Sequence, residues 1–212
     1  MLTQGPEGPA PVGDVVATVY RDSSRALYVE PLPPQLLDCV VPAGVVGCPV
    51  ARVWYGWANI TPQQQADAEW RYASSDLSSN LILVVGHLAP VTVRDHLRGN
   101  DPIEQTWFMV NKLYLTPFRG RVYERHSTQF FYTTGTTRNA QVLAICSGED
   151  SPRPARITWT GMATYGGSSG PRSVEDMFVT GEADFMRSPL PINADEYFVR
   201  QTRPSPPPPA NV

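Results

Sequence analysis

"LTPFRGRVYER", Leu115 to Arg125, stands in the middle of the chain and looks like a strand entered from a tight corner. Phe118 is suited to anchor in a core, and Gly120 can take a φ closed to residues with a Cβ. Arg119 can bridge carbonyls or a carboxylate across a gap between sheets. A phosphate cradle would need several glycines, a lysine and a following helix, because successive N–H groups at the helix start hold the phosphates. Here one glycine is followed by strand pattern. The stretch predicts a structural corner made of Phe118, Arg119 and Gly120.

Outward from that corner, period-two segments recur: "VVATVYR", "ALYVEPL", "ARVWYGWANI", "NLILVVGHL", "TWFMVNKLYL", "RVYERHSTQFFYTT", "AQVLAICSG", "ARITWTGMATY" and "DMFVTGEADFM". They are rich in β-branched and aromatic residues and are separated by Gly, Pro, Ser and Asn. Eight or nine short strands in an all-β sandwich or barrel follow. "TPQQQADAEWRYASSD" predicts a helix, with Thr61 as N-cap and Pro62 in the first helical position. "APVTVRDHLRGND" predicts a single helical turn around Asp95.

The chain has 212 residues, enough for one sizeable core, with 22 Pro, 16 Gly and only 17% charged residues. A formal charge of -3 and a pI near 5.6 give no general attraction to nucleic acid or anionic membranes. Lys112 is the only lysine. Cys39, Cys48 and Cys146 are odd in number and follow no metal-ligand spacing, which predicts buried free thiols in a reducing compartment. The N-terminal stretch has no cationic and apolar regions of a secretory signal, and the longest apolar run, "LILVV", is too short to span a bilayer. Residues 1–13 and 201–212 read as extended arms around a folded domain over 14–200. They are too rich in Gly, Pro and small polar residues to repay ordering by burial.

Catalytic patterns fail on context. "GGSSG", Gly166 to Gly170, resembles a nucleophile elbow, but Pro171 follows at once and His87, His96 and His126 all precede Ser168. Asp95-His96 and His126-Ser127 are neighbours that a strand would point to opposite faces. No metal, calcium-loop or paired-carboxylate spacing occurs, so the residues predict no enzyme, cofactor or metal site.

The aromatic-Arg-Gly step entering an alternating strand, between "WFMVNKLYL" and "AQVLAIC", resembles the corner of jelly-roll coat proteins of picorna-like viruses. In that family the following strand alternates basic and aromatic residues, which Arg121, Tyr123 and Arg125 roughly match. "GGSSGPRSVEDMFVTGEADFMRSPLPIN" looks like the loop, acid-bearing strand and proline-rich exit of such subunits, and leaves little room for a last strand pair. The resemblance covers Trp107 to Asn193 and implies a jelly-roll-like antiparallel β-sandwich. It also implies a structural protein of a non-enveloped icosahedral virion, assembled in the host cytoplasm. Its partners would be like or sister subunits, with weak contact to packaged RNA, a host receptor, and no membrane insertion. Pro206, Pro207, Pro208 and Pro209 predict a polyproline II strap for docking on a partner. The main alternative is a β-sandwich module binding carbohydrate or protein, with Tyr55 and Trp57 on one strand face as a platform and Trp54 on the other; a hydrolase comes third.

Overall fold

Alternation along "VVATVYR" and "LYVEP" becomes an antiparallel pair, β1 (Val15–Arg21) and β2 (Leu27–Pro31). Asp22 organises their turn: its carboxylate accepts from the Ser24 hydroxyl at 2.7 Å and the Ala26 N–H at 2.9 Å. Coordinates come from a computed structural model, which describes residues 13–33, 35–73, 82–95, 101–117, 129–145, 151–160 and 170–204. β3 (Cys48–Val50) pairs with β2, and β4 (Arg52–Trp54) lies parallel to β6.

The expected helix is α1 (Pro62–Ala73). Gln64 N–H donates to Thr61 Oγ1 at 3.2 Å while Thr61 N–H donates to Gln64 Oε1 at 2.8 Å, a reciprocal capping box that satisfies two otherwise unpaired donors. Its inner face places Ala68 and Tyr72 against β1 and β5. Burial, with the Glu69 charge, pushes the Tyr72 phenol up to about 12.

β5 (Ile82–Asp95) and β6 (Asp101–Leu115) form the longest antiparallel pair, interrupted by a bulge between Val85 and Gly86. The helical turn expected around Asp95 is absent. β5 runs through Asp95 because β-branched Val91, Thr92 and Val93 pair with β6, and ladder formation outweighs the local turn signal of Asp and Asn. A Cβ on Gly86 would come within 1.9 Å of the Met109 carbonyl oxygen, so the bulge requires glycine's bare backbone.

The remaining strands are β7 (Phe130–Thr136), β8 (Asn139–Ala144), β9 (Arg153–Trp159), β10 (Met177–Ala183) and β11 (Leu190–Gln201). β7, β8 and β9 form an antiparallel meander. β11 returns parallel to β9, and β10 pairs with both β11 and β7, closing a five-stranded Greek-key barrel. Along β8 the burial alternates, putting Ala140, Val142 and Ala144 inside, and small side chains suit so narrow a barrel. β11 was not foreseen in the sequence, where "LPIN" reads as a proline-rich exit. Its second half leaves the barrel and pairs with β6, through Val199 opposite Leu115.

The strand order is β10-β7-β8-β9-β11-β6-β5-β1-β2-β3, with β4 off this path beside β6. The chain is mostly strand with one short helix, as expected. Apart from β4, its strands follow one hydrogen-bonded path closed at one end, where the sequence reads as eight or nine strands in a sandwich or barrel and the resemblance implies a jelly roll. One apolar cluster lies between the open sheet and α1, and a second fills the barrel. A third, including Leu83, Tyr114, Phe130, Phe178 and Phe198, joins the two.

Candidate assembly interface

Between β2 and β3 the chain makes a long excursion, Gln35 to Gly47, that is tied down at several points. Gln35 Oε1 accepts from the Val16 N–H at 2.7 Å, Leu37 packs on the sheet core, and the Tyr20 hydroxyl donates to the Val46 carbonyl. Val45 N–H donates to the Pro42 carbonyl at 3.2 Å across a turn in which Gly44 has a φ of 78°. Cys39 and Cys48 are joined by a disulfide, with their Cα atoms 5.8 Å apart. This corrects the expectation of free thiols: the excursion doubles back and brings together two cysteines whose spacing alone shows no pattern. Cys146 lies outside the described residues.

A loop so anchored would be expected to turn its apolar residues inward. Instead Leu36 is 86% exposed, Val40 88% and Val46 61%, with Val41 beside them half in water. Asp38 is the only charge in the stretch. Burying a Leu or Val side chain fully is worth about 1.5–3 kcal/mol, so the loop leaves on the order of 5 kcal/mol of burial unrealised. Exposed aliphatics held on a fixed backbone form an apolar surface of the kind found at interaction sites.

The outer part of the β5–β6 pair adds a second unsupported feature. β1 pairs with β5 only over Leu83–Gly86, and β4 pairs with β6 only over Trp107–Met109. From Pro90 to Asp95 and from Asp101 to Gln105, no third strand joins the ribbon among the described residues. It reaches about 17 Å beyond the sheet at strand rise. Half-buried Val91, Val93 and Ile103 share one face by register, while Pro90 and Pro102 remove donors from the ribbon. An isolated two-stranded ribbon has little stability of its own.

Other clusters have structural work. Tyr55 and Trp57 do not share a platform: the strand ends at Trp54 and the chain turns at Gly56 and Trp57, so strand alternation no longer applies. Tyr55 is buried near Tyr72, and burial raises its phenol well above the ordinary range. Trp57 instead meets Trp54 edge-on at 5.2 Å and stacks on His87 at 5.8 Å. His87 Nδ1 lies 2.9 Å from Asp14 Oδ1, and the same carboxylate accepts from the Asn111 amide. Sequence reading missed this trio because Asp14 and His87 are remote in the chain and Asn111 is re-aimed at the bulge. No serine or threonine hydroxyl bonds to His87 among the described residues.

At the junction of sheet and barrel, Asp176 accepts from Tyr114 at 2.7 Å, Tyr132 at 3.0 Å and Arg200 at 2.9 Å. Burial opposes ionisation of Asp176, but the two phenol hydrogen bonds and the Arg200 charge outweigh it and hold the carboxyl below its ordinary value. Burial and the bond to Asp176 push the Tyr132 phenol up to about 12, and raise Tyr114 further.

The predicted corner, Phe118, Arg119 and Gly120, and the strap Pro206 to Pro209 lie outside the described residues, as do His96, His126 and Ser168. Among the described residues no group of three His, Cys, Asp or Glu side chains is placed to hold a metal, and no helix is long and apolar enough to cross a membrane. Comparison with protein-family models, with curated proteins and with solved structures finds no match to this chain.

Proposed function

We propose that this chain is a structural subunit that assembles with copies of itself or with sister subunits into the shell of a non-enveloped icosahedral virion. The reading joins the sequence resemblance around Trp107 to Asn193 with one observation, the anchored loop that holds Leu36, Val40 and Val46 in water. Such a loop is stable only in the sense that its backbone is fixed; its apolar side chains gain burial when subunits meet. A stapled loop presents them without the ordering cost that a flexible segment incurs on association. Disulfides persist on virion surfaces, which accommodates the Cys39–Cys48 bond.

The test is a paired substitution, Leu36→Asp with Val40→Asp, in protein expressed with its sister subunits. Wild type should form particles visible by negative-stain microscopy, and the variant should stay in small species with an unchanged melting temperature. A wild type that remains monomeric at high concentration, alone and with those subunits, removes the proposal. A ligand-binding barrel module, with carbohydrate or a partner protein as ligand, is the second reading. It is favoured by the closed five-stranded barrel, an architecture that elsewhere carries ligands on its exposed strand faces. Retention on a glycan column by a monomeric protein would select it.

A further inference from the structure

An arginine strip crosses the outside of the barrel. Thr137, in the two-residue turn between β7 and β8, is its hub: Ile157 N–H donates to the Thr137 carbonyl at 2.8 Å, and Thr137 N–H donates to the Arg172 carbonyl at 3.1 Å. Arg138 follows Thr137 in the turn, Arg156 precedes Ile157 on β9, and Arg172 leads towards β10, so three arginines from separate segments meet around one residue. All three are exposed, and none has a side-chain hydrogen bond, ion pair or ring contact among the described residues. The nearby carboxylate of Glu175 is engaged by the Gly135 N–H at 2.7 Å. Exposed Glu182 lies on β10, two strands away across β11 from Thr158.

Arg153, three residues before Arg156 on β9 and so on the opposite strand face with Ala155 and Ile157, is not part of the group: it donates to the carbonyls of Phe185 and Arg187 and lies over the Phe185 ring. Arg187 in turn sits 3.1 Å from Asp184, both largely in water. Around Arg156 the outer face offers exposed Asn139, Gln141 and Thr158, which are neutral donors and acceptors. In a chain with a net charge of -3, three exposed arginines without a side-chain partner among the described residues, on segments that meet at one turn, are a local reversal of sign. Clustered like charges without counter-charges repel one another, and an incoming anion relieves that repulsion.

We propose that Arg138, Arg156 and Arg172 form a binding site for the sugar-phosphate backbone of single-stranded nucleic acid. The guanidinium fork matches a phosphate's paired oxygens, and a narrow strip on a convex barrel suits one flexible strand. Lipid headgroups are disfavoured because Asn139, Gln141 and Thr158 provide no apolar surface to insert beside the charges. Contact through three phosphates at most, against an acidic chain, makes the binding weak and strongly salt-dependent. The site stands apart from the shell proposal: within a shell it would face the packaged strand, but binding by the isolated subunit does not depend on assembly.

The test is fluorescence anisotropy with a labelled oligouridylate at several salt concentrations, using the full chain and the triple variant R138Q/R156Q/R172Q. Wild type should bind with a log-log salt slope of about -2, and the variant should lose about ten-fold or more in affinity with its slope moving towards zero. The corresponding triple lysine variant keeps the charge and should retain most of the slope while binding more weakly. Equal affinity and slope in wild type and the glutamine variant overturn the site. Arginine-dependent binding to phosphatidylserine vesicles without binding to the oligonucleotide overturns it in favour of a membrane surface. Circular dichroism melting of all three proteins should coincide, because the substituted side chains are exposed and make no side-chain hydrogen bond, ion pair or ring contact among the described residues. Light scattering of the same samples follows assembly, so failure of the site and failure of the shell reading are separate results.

Discussion

The two ends of the sheet deal with their free edges in opposite ways. At one end β10 joins β7 to β11 and the strands close into a barrel, leaving no unpaired backbone row and enclosing an apolar core of Phe131, Leu190 and Ile192. At the other end the sheet stops at β3, three residues long with Pro49 in its middle, and the chain beside it holds aliphatic side chains in water. The closed end satisfies itself and turns polar, arginine-bearing strands outward. The open end is short of cover, and its loop leaves Leu36, Val40 and Val46 in water. One sheet thus carries two surfaces with different appetites.

The sharpest attack on this contrast is through the cluster that joins the two ends. Phe178→Ala removes a ring packed on Tyr114 and Tyr132 and should cost about 3–5 kcal/mol. Calorimetry should still show one transition at lower temperature; two separated transitions would mean that barrel and open sheet melt as independent units. Next in size, Cys39→Ser opens the loop and should cost about 2–3 kcal/mol at most by the loop-entropy argument. Urea unfolding checks it, and particle yield should fall with it. Gly86→Ala drives a Cβ into the Met109 carbonyl and should cost about 1–3 kcal/mol by urea unfolding, with Gly181→Ala comparable because Asn193's carbonyl lies 2.3 Å from its Cβ position.

A smaller effect reads the junction by pH. The Asp176 carboxyl is held below its ordinary value when folded, so its contribution is complete above the unfolded pKa of about 3.9 and disappears as pH falls through the lower folded value. Melting temperatures from pH 6 to 2 should fall less steeply for Asp176→Asn than for wild type. Tyr132 has the opposite sign: its raised pKa stabilises the fold below about pH 10, and that contribution is lost as pH approaches 12. Tyr132→Phe should flatten that alkaline limb. The least effect on stability is expected for Leu36→Asp, within about 0.5 kcal/mol, because Leu36 already stands in water.

Much of the strand content was legible because strand-type composition and period-two alternation are local properties. β8 alternates in burial, while β1, β2 and β10 are short runs of β-branched, apolar and aromatic residues with consecutive positions buried, and the capping box of α1 is written in Thr61, Pro62 and Gln64. β11 was hidden although Leu190, Ile192 and Ala194 alternate as buried residues. Pro189 and Pro191 read as an exit, and the bulge at Asp195 breaks the period before Phe198 resumes it. The apolar loop was illegible for a different reason. Leu36, Val40 and Val46 are the residue types of a core, and only coordinates show that they miss it. The same holds for the arginine group, since Arg156 and Arg172 lie on segments that only the barrel fold brings to Thr137 and its neighbour Arg138.

That β11 belongs to both halves of the molecule has a kinetic meaning. The segment from β1 through β6 includes several hairpin contacts between neighbouring strands, β1 with β2, β2 with β3 and β5 with β6, which form quickly. The barrel cannot close until β11 lies beside β9 and β10, and its last residues must at the same moment find β6, with Leu115 and Val199 far apart along the chain. Loop closure of that length is an entropic toll collected before the contacts that repay it exist. β11 is therefore the latch of the fold: it engages late, and when it does, it fastens barrel and sheet in one step.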